Sequence, residues 1–336
     1  MKARYRITEP LGRGTRVFRG VAESSDRRKR DVVIMRLLPG LQGNKRFTAT
    51  LVDEVRATLT LHHANIVELV DIAKTPDDVY FVVTEYVDGC ALKTFVSRSK
   101  RVALSHVLHV VVECCKGLAH AHSLDVIHRD VSPRAVLLGT IGEVKLVDFG
   151  LMKARLIESS DQGIVKGKFS YLSPEAASGL EVDHRADVFG AGIVLWELVA
   201  KRRLFVGQTD YQTVELIRDA RIPAVEDLDP SLDAIVRKAL ARDMAARFQS
   251  ARELGDALAH YAVSRDIKLV PSEIAKLVRD VKFEVDYERS AKAIDEECIA
   301  RTQETGLGEM HRELFFECLH DAVCCDHDRD SWRPSC

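Results

Sequence analysis

Apolar and polar residues alternate through most of the first 88 residues, and after Asp88-Gly89 the apolar residues recur every three to four positions. The first pattern predicts short strands with turns over 5–38. YRITEPLGRG and VFRGVAES are followed by a basic tip and the run VVIMRLL, which ends at Pro39-Gly40. NIVELVDIAKT and DVYFVVTEYV predict two more strands around the turn Pro76-Asp77-Asp78. Phe47, Leu51, Val55 and Leu59, four apart, predict a helix over 45–61. The second pattern predicts helices at about 91–98, 104–123, 186–201, 208–219, 231–241 and 250–263, with a strand-like piece, AVLLG…EVKLVDFG, at 135–150. The expected fold class is α+β: a small strand-rich lobe over 1–84, a hinge at 85–89, a helical lobe over 90–262, and a helical extension over 263–336. Two lobes joined by a short hinge predict a cleft between them.

Composition narrows the function classes. The 336 residues are 46% hydrophobic and 30% charged, which excludes a disordered or low-complexity chain. Lys and Arg number 49 and Asp and Glu 51, so the net charge is −2 and no global field draws in nucleic acid or an anionic membrane. Arg27, Arg28, Lys29 and Arg30 form a local basic tip; a nucleic-acid patch is one reading, but a solvated hairpin loop needs only water. No stretch approaches the roughly 18 continuous apolar residues of a membrane helix, and the apolar 191–200 stretch is interrupted by Glu197. The N-terminal MKARYRITEPLG lacks an apolar signal region, and eight cysteines are too few for a disulfide scaffold, so a reduced, cytoplasmic protein is expected.

The chemistry concentrates in a few short motifs. Gly12-Arg13-Gly14 follows a strand, where glycine lets backbone N–H groups approach a phosphate; alone it reads better as a plain tight turn. His128-Arg129-Asp130 and Asp148-Phe149-Gly150 follow in the helical lobe, then Ser173-Pro174-Glu175. Their joint occurrence in this order is the strong signal. Over roughly residues 5–262 the chain resembles a eukaryotic-type Ser/Thr protein kinase of the bacterial kind.

That resemblance implies a bilobal kinase-like fold with ATP and Mg²⁺ as ligands. Asp130 matches the family's catalytic base and Asp148 its metal ligand. Leu11, Gly12, Gly14, Arg16 and Val17 match the Gly-rich loop and its flanks. Val33 and Leu137 match the adenine walls, and Glu54 matches the helix glutamate. Glu85, Tyr86 and Val87 match the hinge that bonds adenine, with Thr84 as its gatekeeper. Asp187 matches the residue that braces the catalytic loop, and Arg247 matches the buried partner of Glu175.

The departures from the family pattern carry the functional expectation. Met35 stands where the family has the lysine that holds the phosphates, and Ala135 where it has the metal-binding asparagine. Arg36 is no substitute, because adjacent strand residues face opposite ways. The Gly-rich loop lacks its third glycine, and Thr15-Arg16 leads directly to Val17. Ser132 and Lys168 replace a lysine and a threonine common in the family. Glu54, deprived of a lysine partner, is expected to pair with Arg16 or to swing outward.

These losses predict a pseudokinase that acts on a protein partner, another kinase or signalling protein, with ATP binding weak or absent and Mg²⁺ likewise. A slow but genuine Ser/Thr kinase using Arg16, Asp130 and one Mg²⁺ on Asp148 is the alternative reading. Ser159, Ser160 and Ser170 are candidate phosphate acceptors in the 148–175 segment, although serines are common in any loop. Five of the eight cysteines follow residue 297. Cys318, His320, Cys324, Cys325 and His327 superficially resemble metal ligands, but their spacing matches no zinc pattern, and an amphipathic docking helix over 310–328 is the favoured reading. A redox or metal sensor in this tail is the distant alternative.

Overall fold

The computed structural model describes residues 4–11, 17–24, 28–36, 55–74, 79–99, 102–150 and 169–286. The N-lobe sheet has the antiparallel order β1-β2-β3-β5-β4. Its strands are β1 (Arg4–Pro10), β2 (Val17–Glu23), β3 (Lys29–Arg36), β4 (Leu69–Lys74) and β5 (Tyr80–Glu85). The period-two pattern of β3 sorts its side chains: Val32 and Ile34 are buried with Ala22 and Val83, and Tyr5, Val70 and Phe81 pack around them. Val33 and Met35 lie on the other, partly exposed face. Tyr5 on β1 donates from its hydroxyl to Asp71 on β4 at 2.7 Å. These are the two edge strands, so the sheet curls strongly.

Three expectations for this lobe change. The strand expected from NIVELVDIAKT begins only at Leu69, because Asn65 is engaged otherwise: its amide donates to Glu113 and to the Val144 carbonyl. The basic tip is not wholly solvated, since Arg30 lies within β3 and pairs with Glu68. Of the 45–61 helix, the described part is a helical turn at 55–57 that tightens to a 3₁₀ turn at Thr58–Thr60. The tighter winding rotates the apolar face. Leu59 is therefore 39% exposed, and Leu61 takes the buried position at 2%.

The C-lobe begins with β6 (Gly89–Ala91), α1 (Leu92–Arg98) and α2 (Leu104–His122). The strand-like piece at 135–150 is a hairpin, β7 (Val136–Gly139) and β8 (Val144–Leu146), in a second sheet of order β6-β7-β8. Then come α3 (Pro174–Ala177), α4 (Arg185–Ala200), α5 (Asp210–Asp219), α6 (Pro230–Ala239) and α7 (Ala251–Ser264). Helix α7 starts at a side-chain cap: Ser250 accepts the Glu253 N–H at 3.1 Å while the Glu253 carboxylate accepts the Gln249 N–H at 2.9 Å. Helix α4 is apolar on all sides and almost wholly buried, which makes it the axis of the lobe. Helix α2 packs against both α4 and α7.

The first compact unit runs on to Lys282, and Phe283–Cys336 is the second. A further helix, α8, is described over 271–286. Among the described residues, no helix is long and apolar enough to cross a membrane.

Candidate functional site

The nucleotide-facing side of the cleft is built by strand register. Val17 on β2 lies opposite Met35 on β3, and Val33 lies opposite Thr84 on β5. Met35 is thus on the same face as Val33, with Arg36 on the other. The Leu11 N–H donates to the Val17 carbonyl at 2.8 Å, which closes the base of the 12–16 loop. On the C-lobe side Leu137 is half-buried between the buried Val136 and Leu138. Gly12, Gly14, Arg16 and Glu54 lie outside the described residues, and with them the expected Arg16–Glu54 pair.

The hinge glutamate is engaged through its side chain behind the cleft. Lys145 Nζ lies 2.6 Å from Glu85 Oε1, the same oxygen accepts the Glu68 N–H at 3.0 Å, and Arg30 lies 3.8 Å from Glu85 Oε2. The Glu85 carboxylate is therefore committed to Lys145, Arg30 and the Glu68 backbone.

The catalytic loop is held by one buried carboxylate. Asp187, 1% exposed in the first turn of α4, accepts the N–H groups of His128 and Arg129, each at 2.8 Å, and the His122 ring at 2.8 Å. Burial pushes its pKa up, but the His122 hydrogen bond, the charges of His122 and His128, and the backbone donors outweigh it, so its carboxyl sits below the ordinary range. The His128 ring then links the two catalytic motifs. Its Nδ1 accepts the Asp130 N–H at 3.2 Å, which leaves Nε2–H to donate to the Val147 carbonyl at 3.0 Å. Its ring also lies 4.4 Å from that of Phe149.

These bonds over-determine a strained backbone. Arg129 and Asp148 have φ of 68° and 73°, in the left-handed region, a conformation that costs about 1–2 kcal/mol for each such residue. Strain of this kind persists where surrounding bonds enforce it. The acid positions of the family, Asp130 and Asp148, are thus set in a preserved frame.

Two positions that the family uses for metal and phosphates carry other groups here. The Val147 N–H donates to the Ala135 carbonyl at 2.9 Å, and the Ala135 methyl is fully buried with no oxygen to offer. Mg²⁺ requires several oxygen ligands, and of the matched pair only Asp148 carries one. Met35 presents a thioether where an ammonium would face phosphate oxygens. Ser132 is fully buried, and among the described residues its hydroxyl has no hydrogen-bond partner. This donor set does not fit the family's phosphate-and-metal arrangement.

The end of the 148–175 segment is anchored by a second buried network. Arg247 donates from both terminal nitrogens to Glu175, at 2.8 and 2.7 Å, with 0% and 4% of the two side chains exposed. The rest of its guanidinium donates to the carbonyls of Ala241, Arg242 and Arg185. Burial raises the Glu175 pKa, but the Arg247 hydrogen bonds outweigh it and hold the carboxyl below the ordinary range. The Tyr171 hydroxyl donates to Glu197 at 2.8 Å; burial first, then the Glu197 charge, pushes that phenol well up.

Ser170 is buried, so the structure does not present its hydroxyl as a phosphate acceptor; Ser159, Ser160 and Lys168 lie outside the described residues. A cavity of about 580 Å³ opens beside this anchor, lined among others by Ala57, Arg129, Gly150, Tyr171 and Leu180.

Sequence reasoning missed His122, the second lobe-internal partner of Asp187, and the Lys145–Glu85 bond. The first had a signal: a histidine in the last turn of a helix just before the HRD motif. The second had none, because the pair joins residues on separate strands. The described thiols are inert: burial raises Cys90 to about 11 and Cys115 to about 12, and lifts Cys114 as well. No metal-binding cluster occurs among the described residues, and the Cys/His positions of 310–328 fall outside them.

Residues 5–260 match the family model described as the protein kinase domain. The tyrosine-protein kinase MasK of Myxococcus xanthus is 34% identical over 274 residues, covering 76% of this chain and 42% of that protein. The serine/threonine-protein kinase PknB of Mycolicibacterium smegmatis is 32% identical over 266 residues, covering 75% and 42%. PrkC of Bacillus subtilis is 29% identical over 259 residues, covering 76% and 40%. The chain thus spans about two fifths of the length of these relatives. With the curled sheet, the Asp187-braced loop and the Glu175–Arg247 anchor in place, this chain belongs to the bacterial eukaryotic-type protein kinase family.

Proposed function

We propose that this chain is a pseudokinase: a kinase-fold signalling protein that acts by contact with a partner kinase or signalling protein, as scaffold or allosteric regulator. One observation carries the reading. Met35 lies opposite Val17 on the Val33 face of β3, and Ala135 is buried in the catalytic loop, beside a frame held by Asp187 and by the Glu175–Arg247 pair. Removing one preorganised charge-stabilising donor costs roughly 10²–10³ in rate. Two such losses act on one unit and need not add, yet they put transfer far below ordinary kinase rates. ATP binding is weak or absent for the same reason, and Mg²⁺ has only Asp148 of its usual pair. Nucleotide, where bound, serves as a conformational ligand for the lobes. Balanced charge and free thiols at Cys90, Cys114 and Cys115 support a cytoplasmic setting.

A second reading has its own observation. The left-handed Asp148 and Arg129 and the His128 bridge hold the backbone of Asp130 and Asp148 in place, which favours a slow kinase in which Asp130 accepts the proton of the acceptor hydroxyl. Its acceptor on this reading is a serine or threonine hydroxyl, the class named for the relative PknB. Autophosphorylation and ATP binding measured side by side, with Asp130→Asn and Asp148→Asn controls, separate the two. Transfer abolished by both substitutions establishes the slow kinase. Its absence from the parent chain upholds the pseudokinase.

A further inference from the structure

The kinase-domain match ends at residue 260, but the first compact unit continues to Lys282. Helix α8 carries Ile274, Ala275, Val278 and Val281 at i, i+1, i+4 and i+7, one helical face, and all four are buried. The polar groups bordering that face show where it sits. Glu273 meets the ring of His106 at 3.4 Å, at the start of α2; His106 Nδ1 already accepts the Ala103 N–H, so its Nε2 is turned outward. Pro271 packs on the β7–β8 turn at Gly142, where φ is 96° and an added Cβ would lie 2.5 Å from the Pro271 carbonyl oxygen. Arg279 donates to the Thr140 carbonyl in the same turn at 2.6 Å.

One turn further on, Lys282 reaches the hinge. Its Nζ lies 2.9 Å from Asp88 Oδ1, while Thr140 donates to Asp88 from its hydroxyl at 3.1 Å and from its backbone at 2.7 Å. The Lys282 bond holds the Asp88 carboxyl below the ordinary range. Asp88, Thr140, Arg279 and Lys282 form one cluster. From the opposite side, Arg19 on β2 stacks over the hinge residue Tyr86 at 4.4 Å and is itself fixed by Asp31 at 2.7 Å. The hinge is therefore gripped from the N-lobe at Tyr86 and from α8 at Asp88. Lobe closure is absorbed by φ/ψ changes in just such a short segment.

We propose that α8 is a strap on the hinge: its apolar face anchors it to the C-lobe, and its Lys282–Asp88 tie restrains rotation of the lobes about 85–89. The tie connects the chain beyond the kinase domain to the cleft, whichever activity the cleft has. Each partner of the tie is partly exposed, so a single exposed ion pair sets the scale of the effect.

The test is hydrogen–deuterium exchange on the full chain, read on peptides covering 84–91, with no nucleotide present. Lys282→Glu and Asp88→Lys should each raise exchange in the hinge roughly threefold, and the two together should restore it by reversing the pair. Val278→Asp, which breaks the apolar anchor, should raise hinge exchange further than either. Unchanged hinge exchange in both charge variants overturns the strap. So does an increase spread evenly over the C-lobe, or a double variant no better than the singles.

Discussion

The frame beneath the catalytic loop and the face that would meet phosphate lie in the same cleft and have opposite character. In the frame every charge is paired: Arg247 bonds Glu175 and three carbonyls, and Asp187 is satisfied by two backbone donors and a histidine. At two positions that the family uses for phosphate and metal, Met35 and Ala135 stand in place of a lysine and an asparagine, a cationic donor and a metal-ligating oxygen. The difference separates what the fold needs from what the chemistry needs. A buried ion pair cannot lose one partner without leaving an uncompensated charge, whereas a cleft-facing cation can be replaced by a thioether at little cost to folding. Among the described residues the chain retains the first kind of interaction, while Met35 and Ala135 replace two groups of the second kind.

The largest test of that contrast is Arg247→Ala. Breaking a buried pair costs about 3–5 kcal/mol, which for a domain of this size lowers Tm by roughly 6–20 °C. Thermal unfolding followed by circular dichroism measures it, and a loss below about 2 °C would remove the distinction between frame and face. Next in size is the double variant Met35→Lys, Ala135→Asn. A restored charge-assisted bond contributes about 1.5–3 kcal/mol, or roughly 10- to 150-fold in ATP affinity by calorimetry. Its stability without nucleotide should barely move, in contrast to Arg247→Ala.

The pH dependence comes third. Asp187 and Glu175 both have folded pKa values below their unfolded ones, so they release protons on folding. Their contribution is full above the unfolded carboxylate value of about 4 and is lost as pH falls through the lower folded values. Acid should therefore destabilise the chain, and Asp187→Asn should flatten the acid limb of Tm against pH while lowering Tm at neutral pH. An unchanged limb would mean that Asp187 does not brace the loop. The smallest effect is expected from Ser132→Ala. Its buried hydroxyl lacks a partner, so removal should leave Tm unchanged or raise it by the equivalent of about 1 kcal/mol at most. A clear drop would expose a partner for that hydroxyl.

Much of this was legible in the sequence because it depends on spacing. The helical period located α1, α2, α4, α5, α6 and α7 to within one or two residues, and β3 alternation put Met35 on the cleft face and Arg36 away from it. The motif match paired Glu175 with Arg247 across 72 positions, and a bidentate bond joins them. What escaped were contacts that no period encodes. The turn inside 135–150 depends on Gly139 and Gly142 allowing a hairpin, which an apolar run conceals. Leu59 was misassigned because the change to 3₁₀ winding leaves no mark in a spacing of four. The hinge strap joins Lys282 to Asp88 through tertiary packing, and each looks like an ordinary surface charge.

The most direct test of the central claim is ATP titration and phosphoryl transfer on the unmodified chain, with and without Mg²⁺, followed by thermal shift and by radiolabel incorporation in parallel. The account predicts no incorporation, and a thermal shift that is small or nil and nearly independent of Mg²⁺. Mg²⁺-dependent incorporation that Asp148→Asn abolishes would contradict it.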